Sequence, residues 1–433
     1  PLSQLEKPRH ILLISAEGGV MAELEKYSPV EVDYVELNPA VTDVVLRYGL
    51  VKKISGLNIV HQDGRAYLAK TANRYDSIIV NLPEPDTFQI NRFYTDQFFQ
   101  LVKRHLLPEG ILSFSMQGFD NYLAEPQRLK ISSLYNTVSR HFKDVRLLPG
   151  QKIFFLCSDK PIEVDIPARL ASKGIATNYV EGFYYGNLTP ERIKRLNALV
   201  DPSVPRNFDK RPHLMRLMFF QWFAKYATSP HGFVIVLAVL CLAYLLRISR
   251  EEFVLFSTGC MTMGSEILVI FAFQIFFGYI YFQIGVIITV FLAGLLPGAV
   301  FGKKLADRGV RLLAFSDGLL ILLLGVFLAV LSLATGHLPV IFFLAFGFGV
   351  SLICGFQFPV ALRVSGDNNP AATRFFSADL IGAAAGTLFT SVFLIPYFGI
   401  LWAAAGLIGL KLLSLLIIGT VHGKNHPTTV SLL

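Results

Sequence analysis

The sequence predicts two dissimilar parts: a Rossmann-like, doubly wound α/β domain, followed by an all-α transmembrane bundle. In the first 160 residues, short apolar runs alternate with amphipathic stretches, which is typical of parallel strands joined by helices. Residues 1–229 contain 29 Lys and Arg and 24 Asp and Glu, whereas residues 230–433 contain only 10 and 7. A chain that is 53% hydrophobic and 16% charged is neither disordered nor an acidic solvating tail. We therefore expect a polar globular half joined to a membrane half.

Composition also excludes some classes of partner and cofactor. The net charge of +8 is spread along the chain without a run of like charges, so we expect no nucleic-acid partner. The four cysteines form no CxxC pair and no cluster with histidine, so neither a zinc site nor any other metal site is predicted. Since the sequence begins with Pro1 and has no signal peptide, we expect a processed product or part of a longer protein.

The elements of the first domain follow in order. Apolar runs predict strands, and the amphipathic stretches between them predict helices. A tight turn at Pro149-Gly150 joins the last two strands. We therefore predict a parallel sheet with an antiparallel edge, the class I methyltransferase type of doubly wound fold. The predicted strands are residues 10–15, 32–37, 58–61, 77–82, 110–116, 144–148 and 152–157, and the predicted helices are 20–27, 41–48, 65–70, 95–106 and 125–142.

Candidate ligand-binding residues follow the strands directly. Gly18-Gly19 after the first strand lets a ligand approach the backbone, although such a pair is equally often a plain turn. Glu36 ends the second strand, where a carboxylate accepts ribose hydroxyls or is simply a solvated cap. Asp63-Gly64 follows the third strand, and Asp63 could accept from an adenine amine. Because parallel strands end at one edge, we expect these groups to line one nucleoside site.

These motifs together resemble the spermidine/spermine synthases (polyamine aminopropyltransferases) over roughly residues 8–160. The stretch from Ser15 to Gly19 resembles the family's glycine-rich turn GGGEGG, and VELNP and QDGRAYL resemble its ribose and adenine motifs. The resemblance implies decarboxylated S-adenosylmethionine, or a related S-adenosyl nucleoside, as the cofactor. The cofactor-binding residues that it implies are Glu17, Gly18, Gly19, Glu36, Asp63 and Gly64.

The fourth strand exit departs from the family pattern. The family has D-x-x-D-P there, and its first aspartate is usually the base that deprotonates the amine; this chain has Asn81-Leu82-Pro83-Glu84-Pro85. An amide takes no proton at neutral pH, so Asn81 marks a degenerate base position, and Glu84 moves the remaining carboxylate by one methylene. Residues 91–99 (NRFYTDQFF) resemble the family's LYTxEFY segment, which implies Tyr94 as a substrate residue. We expect aminopropyl transfer to be impaired.

Residues 161–230 are predicted as a mixed extension. Residues 179–185 are interpreted as a strand, and residues 207–212 resemble a segment that precedes the membrane part in membrane-linked members of the family. Residues 213–225 (HLMRLMFFQWFAK) predict an amphipathic helix at the membrane interface, with a buried helix of the first domain as an equal alternative.

Residues 231–433 are predicted as a bundle of about seven transmembrane helices. Glycines and alanines recur where helices would cross, and residues 302–311 resemble the basic loop of a major facilitator half. Glu266 lies within an apolar segment and is functional or protonated, whereas Asp317 and Asp379 are interpreted as caps. The predicted segments are residues 232–246, 253–277, 279–301, 312–334, 338–362, 376–396 and 400–420.

Basic residues predict the orientation of this bundle. Nine of them flank one side, and the loops on the other side, near residues 278, 336 and 398, contain none. The positive-inside rule places the basic side in the cytoplasm, in what we expect to be a bacterial inner membrane. A single crossing by residues 232–246 then puts the sheet domain outside the cytoplasm, which is the arrangement we expect. If that segment only dips into the membrane, or if residues 215–246 cross twice, the domain is cytoplasmic. The nine are Arg247, Arg250, Lys303, Lys304, Arg308, Arg311, Arg363, Arg374 and Lys424.

Three functions remain open from the residues and the resemblance. The first is a membrane-anchored aminopropyltransferase, impaired by Asn81, that uses decarboxylated S-adenosylmethionine and an amine. The second is a catalytically inactive docking or structural subunit of a membrane complex, and the third is a half-transporter. For each of these functions we expect the lipid bilayer to be a partner, together with other membrane subunits or self-association of the chain.

Overall fold

The computed structural model describes residues 1–15, 19–49, 54–119, 123–178, 180–225, 230–278, 281–306, 309–334, 338–364 and 369–422. The chain divides into two compact units, Pro1–Gln221 and Trp222–Leu433.

The first unit is built on a seven-stranded sheet of order β3-β2-β1-β4-β5-β7-β6. The first five strands are parallel, whereas β7 runs antiparallel to both β5 and β6. The predicted doubly wound, class I methyltransferase-type sheet is confirmed, with the antiparallel strand one position inside the edge. The strands are β1 His10–Ile14, β2 Glu31–Glu36, β3 Leu57–His61, β4 Tyr75–Val80, β5 Leu106–Gln117, β6 Asp144–Leu148 and β7 Lys152–Ser158.

Helices cover both faces of this sheet because its strands are apolar on both sides. Leu12 and Ile14 of β1 pack into one core, and Ile11 and Leu13 pack into another on the opposite face. The helices are α1 Val20–Glu25, α2 Pro39–Arg47, α3 Gly64–Lys70, α4 Phe88–Asn91, α5 Asp96–His105 and α6 Glu125–Val138; α3, α5 and α6 cover the first core.

The extension after the sheet is helical. It contains α7 Ile166–Ser172, α8 Val180–Asn187, α9 Pro190–Ala198 and α10 His213–Lys225. The predicted strand at residues 179–185 is therefore wrong: its described part belongs to α8, since aromatic content alone does not distinguish strand from helix. Leu214 of α10 lies in the first core and is fully buried, which favours the buried-helix alternative for the first turn of α10.

Within the described residues, the second unit contains six helices that are long and apolar enough to cross a membrane. A shorter apolar helix, α11, precedes them and has 16 residues. The elements are α11 Pro230–Leu245, α12 Arg250–Phe277, α13 Tyr281–Leu305, α14 Val310–Leu333, α15 Val340–Val364, α16 Asn369–Leu388, a π-helical turn Phe389–Leu394, α17 Ile395–Phe398 and α18 Ile400–His422.

Glycines allow the helices of this unit to approach closely. A Cβ on Gly294, Gly298 or Gly302 of α13 would collide with backbone atoms of α15, and one on Gly382 or Gly386 of α16 would collide with α12. The small residues therefore lie at helix contacts within the bundle, as expected for association in lipid.

Two carboxylates predicted to be caps lie inside helices. Asp317 is the eighth residue of α14 and is fully buried, where its Oδ1 accepts from Lys411 Nζ of α18 at 2.8 Å. Asp379 lies in the middle of α16. The cap interpretation is wrong because an apolar run does not show which polar groups meet across helices. Glu266 is half-buried within α12, and its functional role stays a prediction.

Candidate functional site at the carboxyl edge of the sheet

The ends of β1 and β2 hold the predicted ribose carboxylate. Ser15 Oγ donates to Glu36 Oε2 at 3.0 Å, and the amide of Asn38 donates to Oε1 at 3.2 Å. Ser15 adopts a left-handed backbone (φ 59°), and so does Gly19 (φ 90°), which caps α1. Both residues border the segment between β1 and α1. The predicted cofactor residues Glu17 and Gly18 lie outside the described residues.

Asp63 is the N-cap residue of α3. Its Oδ1 accepts from the amide of Ala66 at 2.8 Å and forms an ion pair with the buried Arg92. A Cβ on Gly64 would lie 2.6 Å from Ile14 Cγ2, so the glycine allows α3 to pack against the end of β1. The predicted adenine residue therefore also anchors a helix, and its carboxylate is already paired.

A network extends from Asp63 to the segment before α10. Arg65 of α3 binds Asp209 through two hydrogen bonds of 2.8 and 2.5 Å, and Thr95 Oγ1 donates to the same carboxylate at 2.7 Å. Asn207 is fully buried and donates to Asn91 Oδ1 at 2.9 Å. Residues 207–209 are thus part of the sheet unit, fastened to the helices that border the site.

A cavity of about 490 Å³ opens at the ends of β1, β4, β5 and β7. Asn81 follows β4 and lines this cavity, and its own amide donates to the carbonyl of Ile14 at 2.9 Å. Its Nδ2 is buried and has no hydrogen-bond partner among the described residues. Asn81 therefore lies at the cavity, and its role as a degenerate base position stays a prediction. The lining residues are Ser15, Asn81, Leu82, Pro83, Glu84, Ser115, Met116, Gln117, Gln151 and Lys152.

Glu84 lines the same cavity, and both of its oxygens are engaged. The amide of Gln117 donates to Oε1 at 2.6 Å, and Lys130 Nζ donates to Oε2 at 3.3 Å. Lys130 lies on α6 and is 3% exposed. A second carboxylate, Asp86, lies 3.8 Å from the same ammonium but is largely exposed. The negative charge of Glu84 is therefore balanced by the Lys130 ammonium, and these two hydrogen bonds hold the carboxylate in one orientation.

Tyr94 supports the loop that carries these groups. Its ring is fully buried, and its hydroxyl donates to the carbonyl of Pro83 at 3.1 Å. Burial and the nearby Glu84 carboxylate raise the pKa of Tyr94 above its ordinary value, so the hydroxyl stays protonated. Tyr94 thus fixes the path of the loop from behind, and its direct contact with substrate stays a prediction.

A second cavity, of about 580 Å³, adjoins the first on the α1 side of the sheet. Both cavities are lined by Asn81 and Ser115. The second is mainly apolar, with Leu24, Phe154 and Leu170 among its lining residues. Among the residues that the structure describes, no group of three His, Cys, Asp or Glu side chains could hold a metal ion.

Sequence reasoning missed Lys130. It lies in a run of five consecutive buried residues of α6, Lys130–Leu134 by number, in which helical periodicity gives no polar face. The sequence does contain one signal: this lysine lies among apolar residues and serines. A lysine in such a run is a buried charge that needs a partner.

Known proteins are similar to this first unit. The family model of the spermine/spermidine synthase domain matches residues 1–161. A polyamine aminopropyltransferase of Oceanobacillus iheyensis is 26% identical over 227 residues, covering 48% of this chain and 44% of that protein. One of Methanocaldococcus jannaschii is 32% identical over 120 residues, covering 26% and 40%. The chain thus spans less than half the length of these relatives.

Solved structures include a spermidine synthase in complex with the transition-state analogue AdoDATO. It is 20% identical with a TM-score of 0.38, and the match covers 46% of this chain and 72% of that one. By its match to the family model, the segment of residues 1–161 is similar to the spermine/spermidine synthase domain.

Proposed function

We propose that the sheet unit retains a site for an S-adenosyl nucleoside, and that aminopropyl transfer from decarboxylated S-adenosylmethionine to an amine is impaired. The six apolar helices anchor this domain to a membrane. The observation that carries the proposal is the position of Asn81, whose amide lines the cavity at the end of β4. An amide there can orient a ligand by hydrogen bonds but cannot remove a proton from an attacking amine.

The nucleoside half of the site supports binding. Among the described residues, Ser15 and Asn38 donate to different oxygens of Glu36, and a carboxylate oxygen can accept a further hydrogen bond from a ribose hydroxyl. We choose this class of nucleoside because the similar proteins described above are named polyamine aminopropyltransferases.

Calorimetry on the full chain in detergent tests the binding. We expect 5′-methylthioadenosine to bind, and Glu36→Ala to weaken that binding by about tenfold or more, since it removes a charged hydrogen-bond acceptor. Glu31→Ala is the matched control, because Glu31 begins the same strand at the opposite edge. An absence of heat at millimolar nucleoside would overturn the proposed site.

Turnover tests the impairment. The unmodified chain should release methylthioadenosine from decarboxylated S-adenosylmethionine at background rate with any amine, and Asn81→Asp should raise that rate by restoring a base. Rapid turnover by the unmodified chain would show that another group acts as the base.

A further inference from the structure

The charge balance around Glu84 bears on which acceptors the cavity admits. A diamine or triamine carries an ammonium at each end at neutral pH, because alkyl ammonium groups have pKa values of about 10. Taking such a group out of water into a cavity is unfavourable unless a carboxylate or an equivalent set of acceptors replaces its hydration. A polyamine site therefore needs carboxylates with unused charge.

The described lining of the cavity does not offer that charge. Among the described residues that line it, Glu84 is the only carboxylate and Lys152 the only ammonium. Behind Glu84 lies the ammonium of Lys130, 3.3 Å from Oε2, and this ammonium also lies 3.8 Å from Asp86.

The Lys130 ammonium already supplies Glu84 with a counter-charge from the side away from the cavity, 3.3 Å from Oε2. Its side chain is 4% exposed, so it is fixed there by packing rather than held loosely by solvent. The amide of Gln117 donates to the other oxygen of Glu84 at 2.6 Å, so the carboxylate is held in one orientation between the amide and the ammonium.

We propose that Lys130 is a specificity-determining residue: by neutralising Glu84 from within the protein, it makes this cavity reject polyamines and admit acceptors that carry no cationic group near Glu84. The cavity's remaining polar lining, which includes Asn81, Ser115 and Gln151, suits neutral hydroxyl or amide groups. This inference rests on the proposed nucleoside site, because the acceptor cavity adjoins it.

Removal of the lysine charge should reverse the selectivity. In Lys130→Met the side chain keeps its length and apolar stem, and Glu84 loses its ammonium partner. An ammonium of a polyamine can then supply the missing cation. Spermidine, a triamine, should therefore bind Lys130→Met at least about tenfold more tightly than it binds the unmodified chain. Lys130→Arg keeps the positive charge beside Glu84, so this variant should bind spermidine no more tightly than the unmodified chain does.

The experiment is calorimetric titration of spermidine into the full chain in detergent, saturated with 5′-methylthioadenosine. Lys143→Met is the matched control, because Lys143 is an exposed lysine after the same helix. The double variant Lys130→Met/Glu84→Gln should lose the gain, since it removes the carboxylate that spermidine would pair with. Binding in Lys130→Met should also weaken as salt rises.

Two results would overturn the inference. One is saturable binding of spermidine by the unmodified chain at concentrations of about 1 mM or below. The other is a folded Lys130→Met protein that binds methylthioadenosine and still rejects spermidine. The unmodified chain provides the first result without any variant, so the inference is testable even if Lys130→Met fails to fold. Loss of methylthioadenosine binding in the unmodified chain would instead contradict the proposed function.

Discussion

At the scale of single residues, Asp33 shows how the sheet unit satisfies a charge in its interior. Asp33 lies on β2 and is 1% exposed. Its Oδ2 accepts from the hydroxyls of Tyr67 and Tyr75, each at 2.7 Å, and its Oδ1 accepts from Asn58 at 2.8 Å. Burial raises the pKa of Asp33, but these hydrogen bonds, with a weaker one from Asn73, bring the net pKa below its ordinary value.

We therefore expect Asp33→Asn to destabilise the sheet unit by about 2 kcal/mol at neutral pH, because hydrogen bonds to a charged acceptor are lost. A lowered folded-state pKa stabilises the protein above the unfolded value of about 3.9, and this stabilisation is lost as the pH falls through the folded value. The deficit should thus shrink toward low pH. Thermal unfolding of the full chain at several pH values measures it, with the exposed Asp43→Asn as control. A deficit independent of pH would contradict the assigned cause.

The same scale shows which site residues the sequence could predict. Glu36, Asn81 and Glu84 follow strands, and parallel strands must end at one edge, so their placement follows from chain order. The partners of these residues do not follow from chain order. Lys130 reaches Glu84 across 46 residues, and Arg92 reaches Asp63 across 29, through the packing of helices on the sheet. Local patterns contain no information on such pairs.

At the scale of elements, four helices of the second unit meet at one buried polar cluster. Lys411 Nζ of α18 donates to Asp317 of α14, to Thr258 of α12 at 2.9 Å and to Gln357 of α15 at 3.2 Å. Ser414 Oγ donates to the other carboxylate oxygen of Asp317 at 2.6 Å. The three protons of the ammonium thus all have acceptors, and the cluster fixes the register of the four helices.

We expect Lys411→Met to destabilise the bundle by about 3 to 5 kcal/mol, since it leaves Asp317 buried without a counter-charge. Lys411→Met/Asp317→Leu removes both charges and should recover most of the loss. The fraction of monodisperse protein after heating in detergent measures both variants. A double variant that is less stable than the single one would show that the pair contributes more than mutual neutralisation.

At the scale of the whole molecule, the polar unit and the apolar unit could both be predicted from the sequence. The amino-acid composition of each segment depends on whether water or lipid surrounds it. Long apolar segments and the alternating pattern each specify a class of structure without reference to partners. Among the predicted transmembrane segments, the first one fits a membrane span least well. Its helix α11 has 16 residues, which at about 1.5 Å each spans about 24 Å, short of the roughly 30 Å of hydrocarbon in a bilayer.

The side of the membrane on which each part lies depends on α11. The nine basic residues on one side predict that residues 302–311 face the cytoplasm, because Lys and Arg are retained there during insertion. The six longer helices return the chain to its starting side, so a spanning α11, with the local thinning that a short helix imposes, places the sheet unit outside. We expect Ser203→Cys to react with an impermeant thiol reagent on intact bacterial cells and Lys304→Cys to react only after permeabilisation. Cys241→Ala supplies the background, since Cys241 is only half-buried whereas the other three native cysteines are buried. If neither introduced cysteine reacts before permeabilisation and both react afterwards, α11 does not span and the sheet unit is cytoplasmic, where S-adenosyl nucleosides are available to it.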